Sequence, residues 1–363
     1  MWILYVTRIV WILFSLKVTI FSALSAAYRH HQSTTKAQNV RFVVTTIASS
    51  RVKDSLKEVL SKLDSFGVPI YVLIDEGSEL TDWLAEKDVK LVVVPRDFTT
   101  EAIAKARAMD YFVKNYVQDK DWYVFFDDDS YPLDDKFLYE IPYYEEHGYV
   151  GGNGNLVPRR GKSVYTYILD HYRFLDDIIF FRATQGTLRH PSIGFHGEGL
   201  ILKGSVLKEI GFGFNSITED FRFAMELCKK GYRTWHSSTR VSFKSPNSIR
   251  DFIRQRARWF KGITQDTKHA HFSYFFILPF HLGLSLFGFF GSFPFLILAI
   301  IHPIPFFILF PAGTAYWIVS VFILPKASIR DKFLTLLLSP VESIVPLYAI
   351  KMKAGFYVLD KSN

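Results

Sequence analysis

This 363-residue chain is short of several things, and each shortage excludes a class. It has one cysteine, Cys228, so no intrachain disulfide is possible and nothing points to an oxidising compartment. It carries no G-x-G-x-x-G turn and no P-loop lysine motif, which removes the usual dinucleotide and kinase phosphate cradles. No internal repeat and no low-complexity linker divides it, against a solenoid or a string of modules. The formal charge of +8 forms no single basic block but lies beside apolar segments. That distribution suits anionic lipid headgroups better than a nucleic-acid groove, and no nucleic-acid partner is expected.

What is present is apolar surface. Hydrophobic residues make up 49% and aromatics 17%, and the mean hydropathy is positive. The excess sits in the first thirty residues and the last hundred, so membrane-like ends flank a soluble-like middle. Residues 1–28 are apolar but for Arg8 and Lys17 and are read as an N-terminal membrane helix, tilted or interfacial because of those charges. Cleavage at the small residues Ser22 to Ala27 is the alternative. Arg29, His30, His31, Lys36 and Arg41 follow, which predicts a cytoplasmic position for the next domain. At the other end, 272–301 and 305–324 are each long enough to span. The run 333–350, with Pro340, Glu342 and Pro346, is read as a re-entrant or third segment.

Between these ends the pattern alternates. Strands are predicted at Phe42–Ile47, Ile70–Ile74, Leu91–Val94 and Trp122–Phe126, with helices over about 52–66 and 100–117. This order implies a mostly parallel α/β sheet with right-handed crossovers. The last strand runs into Asp127-Asp128-Asp129, and the C-terminal strand edge is where open α/β sheets bind ligands. Three carboxylates there repel one another unless a cation sits among them, so a divalent metal site is expected. Gly151 to Asn155 and Phe195 to Gly199 are read as turns. Thr218 is a plausible N-cap for a helix that Gly231 closes, with Glu219 and Asp220 in its first turn. Over 249–263, Ile249, Phe252, Ile253, Phe260 and Ile263 share a face with Arg256, flanked by Gln255, Arg258 and Trp259. That is a basic amphipathic helix of the interfacial kind.

Four features therefore occur in order: Asp75 at a strand end, the Asp127–Asp129 triplet, Thr218-Glu219-Asp220, and Gln255-Arg256-Ala257-Arg258-Trp259. This set resembles the D, DxD, TED and Q-x-x-R-W pattern of the membrane-bound family 2 glycosyltransferases. Within that group the chain is similar to the egghead-type β-1,4-mannosyltransferases. That likeness rests on Val94 to Phe98, on Glu219 to Met225, and on Lys244-Ser245-Pro246 leading through Asp251-Phe252 to the Gln-Arg-x-Arg-Trp motif. The resemblance covers roughly 40–265.

It implies an α/β fold of the GT-A type, a Rossmann-like nucleotide-sugar domain over 38–246, followed by the interface helix 247–265 and a membrane region 272–351. It implies Mg²⁺ or Mn²⁺ on Asp129 and Asp127, donor contacts from Asp75, Arg107 and Asp127, and Asp128 as the variable middle residue. Asp220 is the implied catalytic base of an inverting transfer, with Glu219, His196, Gln255, Arg258 and Trp259 toward acceptor and diphosphate. The implied donor is GDP-mannose and the acceptor a lipid or lipid-linked glycan at the bilayer. A UDP-sugar-dependent glycolipid or processive polysaccharide synthase is the alternative, and a non-catalytic scaffold or a permease the readings from other classes. Two departures stand out: Phe243 replaces an expected acid before Lys244-Ser245-Pro246, and His196 and Glu198 replace small residues of the loop.

Overall fold

A computed structural model describes residues 2–272, 319, 321–325, 327–338, 348–349 and 351. In chain order, helix α1 (Trp2–Ala27) precedes β1 (Val40–Thr45), α2 (Lys53–Asp64), β2 (Ile70–Asp75), α3 (Thr81–Ala85), β3 (Lys90–Val94), α4 (Lys105–Tyr116) and β4 (Trp122–Asp127). These four strands lie in the order β3-β2-β1-β4 and are parallel, as their apolar runs predict. Successive side chains leave a strand on opposite faces. Phe42 and Val44 therefore meet Leu56, Val59 and Leu63 of α2, while Val43 meets Met109, Phe112 and Val113 of α4.

The second half is less regular. It contains β5 (Ser130–Pro132), α5 (Lys136–Glu146), β6 (Tyr149–Arg159), α6 (Val164–Asp176), a π-helix (Asp177–Thr187), β7 (Leu200–Lys203), α7 (Gly204–Ile210), α8 (Glu219–Lys229), β8 (Arg233–Lys244) and α9 (Ile249–Asp266). β7 joins β4 antiparallel and extends one eight-stranded mixed sheet through β6, β8 and β5.

Three local expectations are corrected. Gly151 to Asn155 form no turn but the buried middle of β6, between β7 and β8. A Cβ on Gly152 would lie 2.8 Å from both the Trp235 ring and the Trp235 carbonyl oxygen, and one on Gly154 would lie 2.9 Å from the Thr239 carbonyl. The glycines mark close backbone approach inside a sheet, a meaning that composition alone shares with a turn. Helix α4 begins at Lys105, after Ala104 at φ +52°, and not near Thr100. Thr218 precedes α8 but makes no capping bond, because its hydroxyl donates to Asp266 of α9 at 3.2 Å.

Helix α1 forms over the stretch read as a membrane helix and packs on the π-helix, where Thr187 donates to the Leu24 carbonyl at 2.6 Å. Among the described residues no helix is long and apolar enough to cross a membrane, α1 with Arg8 and Lys17 included. The spans expected over 272–301 and 305–324 lie almost wholly outside the described residues. Of the 333–350 segment, the start lies in the helix Ile329–Leu338, and Tyr348 and Ala349 are helical.

Candidate active site

The site forms at the C-terminal edge of the parallel strands. Asp127, the last residue of β4, stands in register with Thr45 of β1, whose hydroxyl donates to Asp127 Oδ1 at 3.4 Å. Lys105, the first residue of α4, brings Nζ to 3.0 Å from the same oxygen and 2.9 Å from Glu219 Oε1. Burial works against this ammonium, but Asp127, Glu219 and Asp220 outweigh it and hold its pKa well above the usual lysine value. Sequence reading passed over Lys105. The available signal was its place two residues before Arg107, at the start of a helix that returns to the acidic strand.

Two strands from β4, at the end of β2, Arg107 Nη1 lies 2.6 Å from Asp75 Oδ1, and its other nitrogen donates to the carbonyls of Pro95, Arg96 and Phe98. The structure so brings together two residues expected to hold the donor, with the Asp75 side chain still 64% exposed.

The triplet divides by direction. Asp128 is buried, accepting at Oδ2 from Thr46 at 2.9 Å and through its carbonyl from Ser55 at 2.8 Å, so it ties β4 to the neighbouring β1 loop and α2. Asp129 is also buried. Its carbonyl accepts from Arg159 at 3.3 Å, and its charge favours the ammonium of Lys244.

Asp220, at the start of α8, accepts at Oδ1 from the Phe221 N–H at 2.8 Å. Burial, then the charge of Glu219, pushes its carboxyl up to about 7 against the opposing pull of Lys105. The loop Phe195–Gly199 covers this cluster: a Cβ on Gly197 would lie 2.7 Å from Lys105 Nζ and 3.5 Å from Asp220 Oδ2. Asn153 of β6 fixes the loop, accepting from the His196 N–H at 2.7 Å and donating to the His196 carbonyl at 3.1 Å. His196 itself reaches Asp177 with Nε2 at 2.6 Å from Oδ1.

On α9, capped by Ser248 accepting from the Asp251 N–H at 3.1 Å, Gln255, Arg258 and Trp259 are half-buried. The Trp259 ring lies near the guanidinium groups of Arg173 and Arg256. Phe243 pairs in register with Ser130 and lays its ring 4.4 Å from the Arg173 guanidinium. An acid there would face Arg173, which already has Glu198.

Among the described residues no group of three or more His, Cys, Asp or Glu side chains is gathered for a metal ion, so no all-protein cage is present. Asp127 and Asp129 nevertheless carry carboxylate oxygens, hard donors of the type such an ion takes. A Mg²⁺-type ion commonly takes one or two carboxylates and completes its shell with substrate phosphates and water. The residues fit a cation of that kind, with Lys105 beside Asp127 as its competitor.

The chain resembles known glycosyltransferases. It is 28% identical over 185 residues to the beta-1,4-mannosyltransferase bre-3 of Caenorhabditis briggsae, covering 48% of this chain and 41% of that protein. It is 26% identical over 205 residues to the beta-1,4-mannosyltransferase egh of Drosophila melanogaster, covering 53% of this chain and 44% of that protein. The chain thus matches less than half the length of these curated relatives. A solved mannosyltransferase from Pyrobaculum calidifontis, in complex with GDP-Man and Mn²⁺, shares the fold at a TM-score of 0.59 and 15% identity, covering 95% of this chain and 97% of that one. The mixed α/β sheet is therefore that of the GT-A glycosyltransferases. The family model for glycosyl transferase family group 2 matches residues 122–325, more than half of the chain, and the chain belongs to that family.

Proposed function

We propose that the chain is an inverting, metal-dependent mannosyltransferase that uses GDP-mannose and works on a lipid or lipid-linked glycan at the cytoplasmic face of a membrane. The observation that carries this reading is Asp220, a carboxyl pushed up to about 7, beside the Lys105 bridge between Asp127 and Glu219 at the strand ends. A general base serves best with a pKa near the working pH, which most carboxylates lack.

In this mechanism Asp75 and Arg107 hold the nucleoside end of the donor, and Asp127 and Asp129 hold the divalent cation. When bound, that cation neutralises charge on the diphosphate as it leaves. Asp220 takes the proton of the acceptor hydroxyl. The hydroxyl oxygen bonds to the anomeric carbon as the bond from that carbon to the diphosphate breaks, so GDP departs and the configuration inverts. Gln255 and Arg258 face the diphosphate from α9, and Trp259 floors the acceptor sugar with its indole face. Glu219 acts through Lys105, and His196 acts by seating the loop over the cluster through Asp177. Support for a membrane setting comes from the apolar ends of the chain and from the basic amphipathic pattern of α9, whose Ile249 stays exposed.

Turnover of a panel of nucleotide sugars by detergent-purified protein with Mg²⁺ or Mn²⁺ tests the assignment. GDP release from GDP-mannose is expected to exceed release of nucleotide from UDP-sugars. Faster release from a UDP-sugar would move the chain to the glycolipid or polysaccharide synthases, and no release from any would sink the reading.

A further inference from the structure

Trp259 sits in an arrangement that packing alone does not require. The Arg173 guanidinium, from α6, lies 4.8 Å from the indole centre, and that of Arg256, one helical turn before Trp259, lies 4.4 Å from it. Each guanidinium meets a second ring: Phe243 at 4.4 Å for Arg173 and Phe252 at 4.6 Å for Arg256. Each also has a buried carboxylate. Glu198 takes Arg173 by both nitrogens at 2.9 Å, and Asp170 takes Arg256 at 2.6 Å. Asp170 and Arg173 are themselves one turn apart on α6, so a single helix face grips α9 at two points.

Buried ion pairs are weak devices for stability, since well-packed apolar residues often serve as well or better. What a two-point carboxylate–guanidinium fork supplies is orientation: it fixes the guanidinium plane, and a planar cation on a ring face restrains the ring. Glu198 belongs to the loop Phe195–Gly199, whose Gly197 lies against Lys105 and Asp220. One side chain therefore connects the loop over the acidic cluster to the indole.

We infer that Arg173 is a positioning residue that sets the plane of Trp259, held by Glu198 on one side and backed by Phe243 on the other. Resting on the glycosyl-transfer reading above, this makes the loop Phe195–Gly199 and the Trp259 floor one unit and gives Phe243, the departure from the expected acid, a purpose: its ring packs 4.4 Å from the same guanidinium that meets Trp259. Acceptor binding depends on this unit, whereas donor binding at Asp75, Arg107 and Asp127 does not.

The test compares R173M, R173K and F243L with the unaltered detergent-solubilised chain, using GDP-mannose and whichever alkyl glycoside supports turnover. R173M is expected to raise the acceptor KM by about 10-fold, the loss of a desolvated cation–π contact. Its donor KM, and its hydrolysis of GDP-mannose without acceptor, should stay within about 2-fold. R173K should fail to restore the acceptor KM, because an ammonium cannot make the fork or the stack. F243L should shift it in the same direction by a smaller factor and decides the matter if R173M does not fold. Parallel changes in donor and acceptor KM, or rescue by lysine, would overturn the inference. A second measurement is independent of turnover: in protein labelled with 5-fluorotryptophan, the ¹⁹F resonance that vanishes in W259F should shift in R173M and F243L. An unmoved resonance overturns the positioning role. If the wild type transfers no sugar, the glycosyl-transfer reading fails and the resonance alone decides whether Arg173 orients Trp259.

Discussion

Asp220 shows how a single carboxyl can carry conflicting demands. Its raised value of about 7 follows first from burial and then from Glu219. As a base it works when ionised, so turnover should fall as pH drops below about 7 and level off above it, measured as kcat against pH. D220N should abolish transfer while leaving donor affinity largely intact. The same shift has the opposite sign for stability. A carboxyl whose folded pKa lies above its unfolded value binds a proton in the native state that the unfolded chain has released. Its contribution is fully present below the unfolded pKa of 3.8 and is lost as pH rises through about 7. D220N should therefore melt no lower than the wild type at pH 8, and a clear fall in its Tm there would show that the carboxylate is a structural anchor. D129A has a different expected effect: the dependence of donor binding on Mg²⁺ should weaken, and a normal metal response would remove Asp129 from the site.

At the scale of elements, two glycines separate function from folding. Gly197 has no positive φ, and its added Cβ would crowd the movable end of Lys105, at 2.7 Å, while Asp220 Oδ2 would stay at an ordinary contact distance of 3.5 Å. G197A should displace that ammonium from Asp127 and Glu219, lowering kcat 10-fold or more (about the weight of one such electrostatic group) with little change in Tm. Gly152 offers no such escape, because the Trp235 carbonyl is backbone of the adjacent strand. G152A should cost about 1–3 kcal/mol by overpacking, read as a lower denaturation midpoint. The parallel half of the sheet was legible because β1, β2 and β4 are buried on both faces and so read as unbroken apolar runs. β6 was not, because glycines chosen for close strand approach look like turn residues until their neighbours are known. The N-cap assigned to Thr218 failed for a similar reason: a helix 48 residues away supplies its partner, Asp266.

For the whole molecule, the proposed chemistry depends on a cation whose shell the donor completes. Chelation of divalent ions should abolish GDP release, with recovery on adding Mn²⁺ or Mg²⁺, followed by nucleotide release. Full activity in excess chelator would leave Lys105 as the charge that serves the diphosphate. By itself the sequence determined the family, the order of the acidic motifs and the parallel half of the sheet, because these depend on residue type and spacing along one chain. Tertiary structure decided which of those residues meet. It set Lys105 between Asp127 and Glu219, paired Asp75 with Arg107, turned Asp128 toward β1, and assembled Phe243, Arg173, and the α9 pair Arg256 and Trp259 from three separate stretches. Charge pairs and ring contacts act over a few ångströms, and which side chains come that close is fixed only when helices and strands distant in sequence pack together.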